Sequence, residues 1–289
     1  MVGNADRTQK DWAMIPLHGR AAWIGYGVVA LAILFIVGPT AWIFLNSIKY
    51  QIAIYSGAWV FEPTLDNYID VLFSRRSDLV HNLWNSFVVA GLSTVAVLVV
   101  GSLGAYGVHR WFRSRLFAKL LMGWVLIFHM IPVITLVGPW YLFFQSLGLY
   151  NTLLALVLTH ITINLPMTMW IMLTYFNEVP TELREAATID GCGDFTTFRR
   201  IILPLVGPGL VSSGILSFVF SWNEFAIALN LTARDTATVP VAIARFAQQF
   251  EIQHAQMAAS SMIAIVPALL LMIFGQRFIV RGLTTGAVK

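Results

Sequence analysis

The sequence predicts an all-α membrane protein of six transmembrane helices with both termini on the cytoplasmic side. Three observations lead there: scarce charge, six apolar runs of bilayer length, and a lopsided distribution of basic residues. Of 289 residues, 58% are hydrophobic and only 11% charged, and the mean hydropathy is +0.75. A soluble domain carries roughly 25% charged residues. So little charge leaves too few polar groups to cover a water-facing surface.

The elements follow in chain order. Residues 1–20 are a polar, cytoplasmic N-terminal segment. Crossing about 30 Å of hydrocarbon takes roughly 20 helical residues. Runs of that size lie at Ala21–Leu45, Leu83–Tyr106, Leu120–Phe144, Asn151–Tyr175, Leu205–Leu229 and Ala258–Phe278. The first lacks a clear small-residue cleavage site and reads as a retained span rather than a signal peptide. Residues 46–82 form an extracytoplasmic segment, 83–280 a five-helix core containing a polar loop at 180–203, and 281–289 a cytoplasmic tail. The runs show neither the length nor the alternation of barrel strands. Pro132, Pro166 and Pro267 are expected to kink or locally open their helices.

Basic residues set the orientation. Arg7, Lys10, Arg20, Arg110, Arg113, Arg115, Lys119, Arg184, Arg199, Arg200, Arg277, Arg281 and Lys289 fall on the side of the termini and the central loop. Lys49, Arg75, Arg76, Arg234 and Arg245 fall on the other, so 13 of the 18 basic residues mark the cytoplasmic face. The net charge of +4 comes from these span ends. No basic, aromatic-interleaved patch tracks phosphates, which excludes nucleic acid as a partner. Cys192 is the sole cysteine, which excludes intrachain disulfides and multi-cysteine metal sites.

The loop "PTELREAATIDGCGDFTTFRRIILPLVGPGL", Pro180–Leu210, interrupts the apolar pattern. Thr181 is suited to cap a short helix with Glu182 and Glu185 near its positive end. Leu183, Ala186 and Ala187 offer a small apolar face. Gly191 and Gly193 stop the helix, and Asp194 is suited to cap a second turn carrying Phe195, Phe198 and Ile202. The result is a helix–turn–helix knob lying on the bilayer face. On these grounds alone it is either a lipid-facing connector or a docking surface.

The stretch "EAATIDGCGDFTTFRRIILPL" resembles the EAA loop of the membrane subunits of binding-protein-dependent ABC importers. The match runs through Glu185, Ala186, Ala187, Asp190, Gly191, Phe198, Ile201, Leu203 and Pro204. "SFVFSWNEF", "WNSFVVAGLSTVAVLVVGSLGAYG" and the segment from Gln256 to Lys289 resemble the carbohydrate-uptake branch, the MalG-like subunits of maltose transport. The resemblance covers nearly the whole chain from about residue 22. It implies the type I ABC importer transmembrane-domain fold in a bacterial cell membrane. It also implies that the loop is a coupling helix, with Glu185 the acidic contact to an ATPase subunit and Gly191 allowing the turn. Phe198 and Ile201 would hold the knob on the bundle. The implied partners are a second permease subunit, two ATP-binding subunits, an extracytoplasmic binding protein, membrane lipid and a small-molecule substrate, expected to be a carbohydrate. ATP and Mg would be bound by the ATPases, with no cofactor on this chain. The tail Gly282–Lys289 resembles one that reaches between the ATPases. Thr232–Pro240 occupies the position of an outer loop that enters the binding protein, and 46–82 would help dock that protein. Sugar contacts, by the same resemblance, fall to the other membrane subunit.

The chain has no G-x-x-x-x-G-K-[ST] phosphate loop, so hydrolysis is expected in a partner. No side-chain cluster shows catalytic spacing, and His129 with His160 sits in no recognised ligand motif. Glu224, Asn223, His160 and Asn164 are polar within or beside spans. Each is either an interhelical or helix-end contact or a residue lining a pathway. Two alternatives to a sugar importer stand: an ABC importer for glycerol phosphate or another small organic solute, and an ion-coupled secondary transporter, against which the EAA-like loop argues.

Overall fold

The computed structural model describes residues 20–74, 77–111, 115–247 and 252–285. The N-terminal segment, Arg75, Arg76, Arg113 and the last four residues, all named in the charge argument or the tail, lie wholly or partly outside that range. The described residues form helices α1 (Arg20–Ser47), α2 (Gln51–Tyr55), α3 (Asp66–Phe73), α4 (Leu79–Trp111), α5 (Arg115–His129), α6 (Val133–Ser146) and α7 (Leu153–Glu178). They continue as α8 (Thr181–Ile189), α9 (Asp194–Thr197), a π-helical turn (Phe198–Ile202), α10 (Leu203–Leu205), α11 (Gly207–Trp222), α12 (Ala226–Leu231), α13 (Val239–Ala244) and α14 (His254–Thr285).

Among the described residues, four helices are long and apolar enough to cross a bilayer: those at Ala22–Ser47, Leu79–Arg110, Leu153–Glu178 and His254–Gln276. Two bent pairs bring the number to six if each counts as one span. The third expected span is not one straight helix, because α5 and α6 meet at 86° across Met130–Pro132. The cause is local: a residue preceding proline is driven out of the α region, and Pro132 has no N–H to continue the ladder. The fifth expected span, Leu205–Leu229, is likewise divided. A 77° bend precedes α11, and the helix stops at Trp222 before the separate short α12. By contrast, α7 runs through Pro166 and α14 through Pro267.

The core is a sandwich of α4, α7 and α11, with α4 and α7 in the longest contact. A Cβ on Gly101 of α4 would lie 2.8 Å from the Thr168 methyl of α7, so only glycine permits this approach. Near the start of α7, one cluster gathers Val89, Phe144, Leu156, Ile227, Leu231 and Val241 from α4, α6, α7, α12 and α13. At the far end, a second gathers Tyr106, Met172, Phe176, Phe198, Ile202 and Val206. The α1 helix leans on α14 and buries almost nothing of its apolar surface within the chain. A helix apolar all round and unburied is stable only against lipid or another chain.

At the end opposite α8, the connection after α12 is pinned to the start of α4. Asn85 Nδ2 donates to the carbonyls of Asp235 (2.9 Å) and Ala237 (3.1 Å), and the Val239 N–H donates to Ser86 Oγ at 2.8 Å. Arg234 clasps Asp78 with Nε–Oδ2 at 2.6 Å and Nη2–Oδ1 at 3.3 Å. The hydrogen bond from Arg234 holds the Asp78 carboxyl below its usual value. Within Thr232–Thr238 only Ala233, Arg234 and Asp235 are exposed. The Thr232–Thr238 loop is thus a braced projection.

Candidate functional site

The polar loop folds as a knob on the ends of α4 and α7. Its first helix, α8, is closed by a Schellman arrangement: the Cys192 N–H donates to the Ala187 carbonyl (2.9 Å) and the Gly191 N–H to the Thr188 carbonyl (3.1 Å). That geometry puts Gly191 at φ +78°. The chain then turns into α9, where Asp194 pairs with Arg110 of α4 at 3.5 Å. Phe198 inserts between rings, with centroids 4.8 Å from Tyr106 and 6.3 Å from Phe176. It opens the π-helical turn, in which Phe198 and Ile202, four residues apart, both face the bundle.

The two expected side-chain caps are not formed. Pro180 and Gly193 occupy the cap positions, while Thr181 and Asp194 are the first helical residues. A cap side chain must precede the first helical turn to reach its free N–H groups. The expected apolar face of α8 is also split. Ala187 is buried, whereas Leu183 and Ala186 point outward with Glu182, Glu185 and Asp190. Ile189 and Phe195, 86% and 67% exposed, complete an outward surface of mixed charge and bare hydrocarbon. Ile201 is half-buried and Pro204 exposed.

Gly191 gives a direct test. A Cβ there would meet nothing within 4 Å, so substitution costs only the left-handed backbone. Gly191→Ala is expected to destabilise the turn by about 1–2 kcal/mol, with Gly191→Asn losing less. Faster amide exchange across 187–194 in the alanine variant would show it; unchanged exchange would refute the strain.

Within the bundle, α7 and α11 run antiparallel and are joined by a polar ladder. Ser213 Oγ reaches Met172 Sδ at 3.8 Å, Thr168 and Ser217 hydroxyls meet at 3.1 Å, and Asn164 Nδ2 donates to Ser221 Oγ at 3.0 Å. Ser93 of α4 joins Ser221 at 3.2 Å. The last rung is His160 Nε2 and Glu224 Oε2 at 3.7 Å, too far for a hydrogen bond. The His160 ring is fully buried and neither nitrogen has a hydrogen-bond partner. Glu224 also receives the Ile227 N–H on Oε1 (2.8 Å) and the Ala228 N–H on Oε2 (3.0 Å), which closes the start of α12. Asn223 is exposed beside it.

Glu224 and Asn164 further line a 450 Å³ cleft at the α5–α6 bend, with Phe128, His129, Pro132 and Phe220. The structure therefore assembles Glu224, His160 and Asn164 in one place and the loop residues in another, at the opposite end of the ladder. Sequence reading missed Tyr106, Arg110 and Phe176 as the seat of the knob, since nothing in their own neighbourhood marks them. It also missed Thr168, Ser213, Ser217 and Ser221, although their four-residue spacing is visible along both helices.

Residues 97–285 match the family model described as the binding-protein-dependent transport system inner membrane component. The chain is 38% identical over 257 residues to the trehalose transport system permease protein SugB of Mycobacterium tuberculosis, spanning 87% of this chain and 92% of that one. It is 40% identical over 232 residues to the trehalose/maltose transport system permease protein MalG of Thermococcus litoralis, spanning 79% and 82%. A chain in the crystal structure of a bacterial ABC transporter involved in the import of the acidic polysaccharide alginate shares the fold. The TM-score is 0.75, over 91% of this chain and 99% of that one, at 18% identity.

Proposed function

Since this chain belongs to the family of binding-protein-dependent transport system inner membrane components, we propose that it forms one half of a heterodimeric import pore for a sugar or sugar-like solute. An extracytoplasmic binding protein delivers the solute, and two separate ATPase subunits drive the cycle from the cytoplasmic side of a bacterial inner membrane. The observation that carries this reading is the knob. Its acidic and apolar residues face outward while Phe198 and Ile202 are seated in the bundle, so a push on Glu185 is transmitted to α4 and α7 through packed rings rather than through a slack loop.

The residues divide by role. Glu185, with Ala186 beside it, contacts the ATPase; Ala187 and Gly191 fix the shape of α8; Asp190 ends it; Phe198, Ile201 and Pro204 hand the displacement to α11. Closure of the ATPase pair on ATP draws the two coupling helices together and opens the pore outward. Release of hydrolysis products restores the inward-facing state. The braced tip at Ala233–Asp235 is the part of the outer surface suited to enter the binding protein. The sugar assignment rests on the relatives named for trehalose and maltose.

The test is reconstitution. This chain, its membrane partner, the ATPases and the binding protein in proteoliposomes are expected to hydrolyse ATP faster when solute-loaded binding protein is added, and to accumulate that solute. Accumulation without ATP, or driven by an ion gradient, would overturn the reading.

A further inference from the structure

We propose that Asn151 is the positioning residue for the outer tip: it clasps the chain on both sides of Arg234 and Asp235, ties it to α7, and so holds the tip in the form on which the binding protein docks. The inference rests on the importer reading and adds to it the residue that prepares this docking surface.

The clasp is the work of one side chain and its own backbone. Asn151 lies between α6 and α7, directly before Thr152, whose hydroxyl accepts the Ala155 N–H at 3.2 Å and caps α7. The Asn151 N–H donates to the Leu231 carbonyl at the end of α12 (3.0 Å). Its Oδ1 accepts two donors, the Ala233 N–H at 2.8 Å and the Thr236 hydroxyl. Those donors bracket Arg234 and Asp235. The backbone of Asn151 is left-handed, with φ +59°, and it is the one non-glycine residue so placed among the described residues. Asparagine enters that region more readily than most residues. Unusual backbone of this kind persists where the surroundings over-determine it, and it collects at working sites.

The remaining braces act elsewhere. The Arg234–Asp78 pair is solvent-exposed, so water screens it and it adds little rigidity. Asn85 and Ser86 tie the chain from Asp235 to Val239 onto α4. Asn151 supplies the tie to α7. The tip is thereby fixed to the two helices that carry the socket of the knob at their other ends, through Tyr106 on α4 and Phe176 on α7. A protein that docks on the tip therefore presses on the same pair of helices that seats the coupling loop. Pre-ordering matters to such docking, because a loose loop must lose its freedom at the moment of contact and binds more weakly.

The experiment uses the complex of both membrane subunits and the ATPases in nanodiscs. ATP hydrolysis is measured against the concentration of added binding protein loaded with trehalose. Asn151→Gly keeps the left-handed backbone and deletes the acceptor; Thr236→Val deletes the hydroxyl donor at nearly constant shape. Each is expected to raise the half-maximal concentration of binding protein about tenfold. The unstimulated rate and the rate at saturation should stay at wild type. Asn151→Asp and Thr236→Ser, which keep the acceptor and the hydroxyl, should retain the wild-type concentration dependence. Amide exchange across 231–238 should quicken in the glycine variant. If that variant fails to fold, Thr236→Val carries the test alone. An unchanged half-maximal concentration would overturn the clasp. So would a fall in the unstimulated and saturated rates without a shift in that concentration, since that pattern marks a merely structural residue. In either case, stimulation of the wild type leaves the importer reading standing. A wild-type complex that no binding-protein addition stimulates would overturn that reading and this inference with it.

Discussion

Glu185→Lys is expected to abolish ATP-driven uptake while leaving the chain folded and inserted. Glu185 is exposed on α8 and has no ion pair among the described residues, so the substitution removes no contact from the bundle. Exposed changes of this kind alter stability by no more than about 0.5 kcal/mol. The effect lies in the interface. Reversing a charge that docks on a partner costs several kcal/mol, equivalent to roughly 10- to 1,000-fold in association. Co-purification of the ATPases and solute uptake should fall together, with the thermal midpoint of the membrane subunit unchanged. Glu185→Gln, which keeps shape and loses charge, should fall between. Normal uptake by the lysine variant would sink the role assigned to this residue.

Phe198→Ala acts from the opposite face of the same knob. Phe198 is buried at 6% exposure between Tyr106 and Phe176, and deleting it empties a cavity under the π-helical turn. Losses of this type amount to about 3–5 kcal/mol. Here the loss falls on a small unit held by one aromatic socket and one ion pair, Arg110–Asp194. The knob is therefore expected to detach locally before the bundle unfolds. Proteases should cut within 180–206, and the ATPases should hydrolyse ATP with little solute moved. Phe198→Leu refills part of the space and should recover much of the coupling. An alanine variant with wild-type protection and wild-type transport per ATP would show that the socket does not transmit force.

What the sequence made legible is what depends on neighbours along the chain. The apolar runs, the position of the knob and the need for glycine at Gly191 are all local, and each can be read in a window of a few residues. The break at Pro132 was expected as a kink from its proline, whereas its sharpness and the break at Asn223–Phe225 were hidden for a physical reason. A hydropathy average passes smoothly across Met130–Pro132 and Asn223–Phe225, because the breaking residues are few and their flanks apolar. Backbone rules carry the signal that hydropathy lacks: a residue before proline leaves the α region, and the Asn223–Glu224 pair marks the stop in α11. The same reasoning left Glu224 and Asn164 as isolated polar positions, since their meeting depends on the crossing of two helices 57 residues apart at Asn164 and Ser221. Tyr106 and Phe198, 92 positions apart in the chain, could be paired only once the bundle was closed.

The ladder between α7 and α11 has a property that its hydrogen bonds alone do not suggest. Its rungs recur every four residues on both helices: His160, Asn164, Thr168 and Met172 on one, Ser213, Ser217 and Ser221 on the other. Such a pattern has translational symmetry. Displacing one helix by four residues, about 6 Å, would set Thr168 against Ser213, Asn164 against Ser217 and His160 against Ser221. The displaced register would hold three polar pairs against the four observed, a small difference since each membrane rung is worth only about 0.6 kcal/mol. A smaller displacement would instead set these hydroxyls against hydrocarbon, so the spacing of the rungs favours whole steps over partial ones.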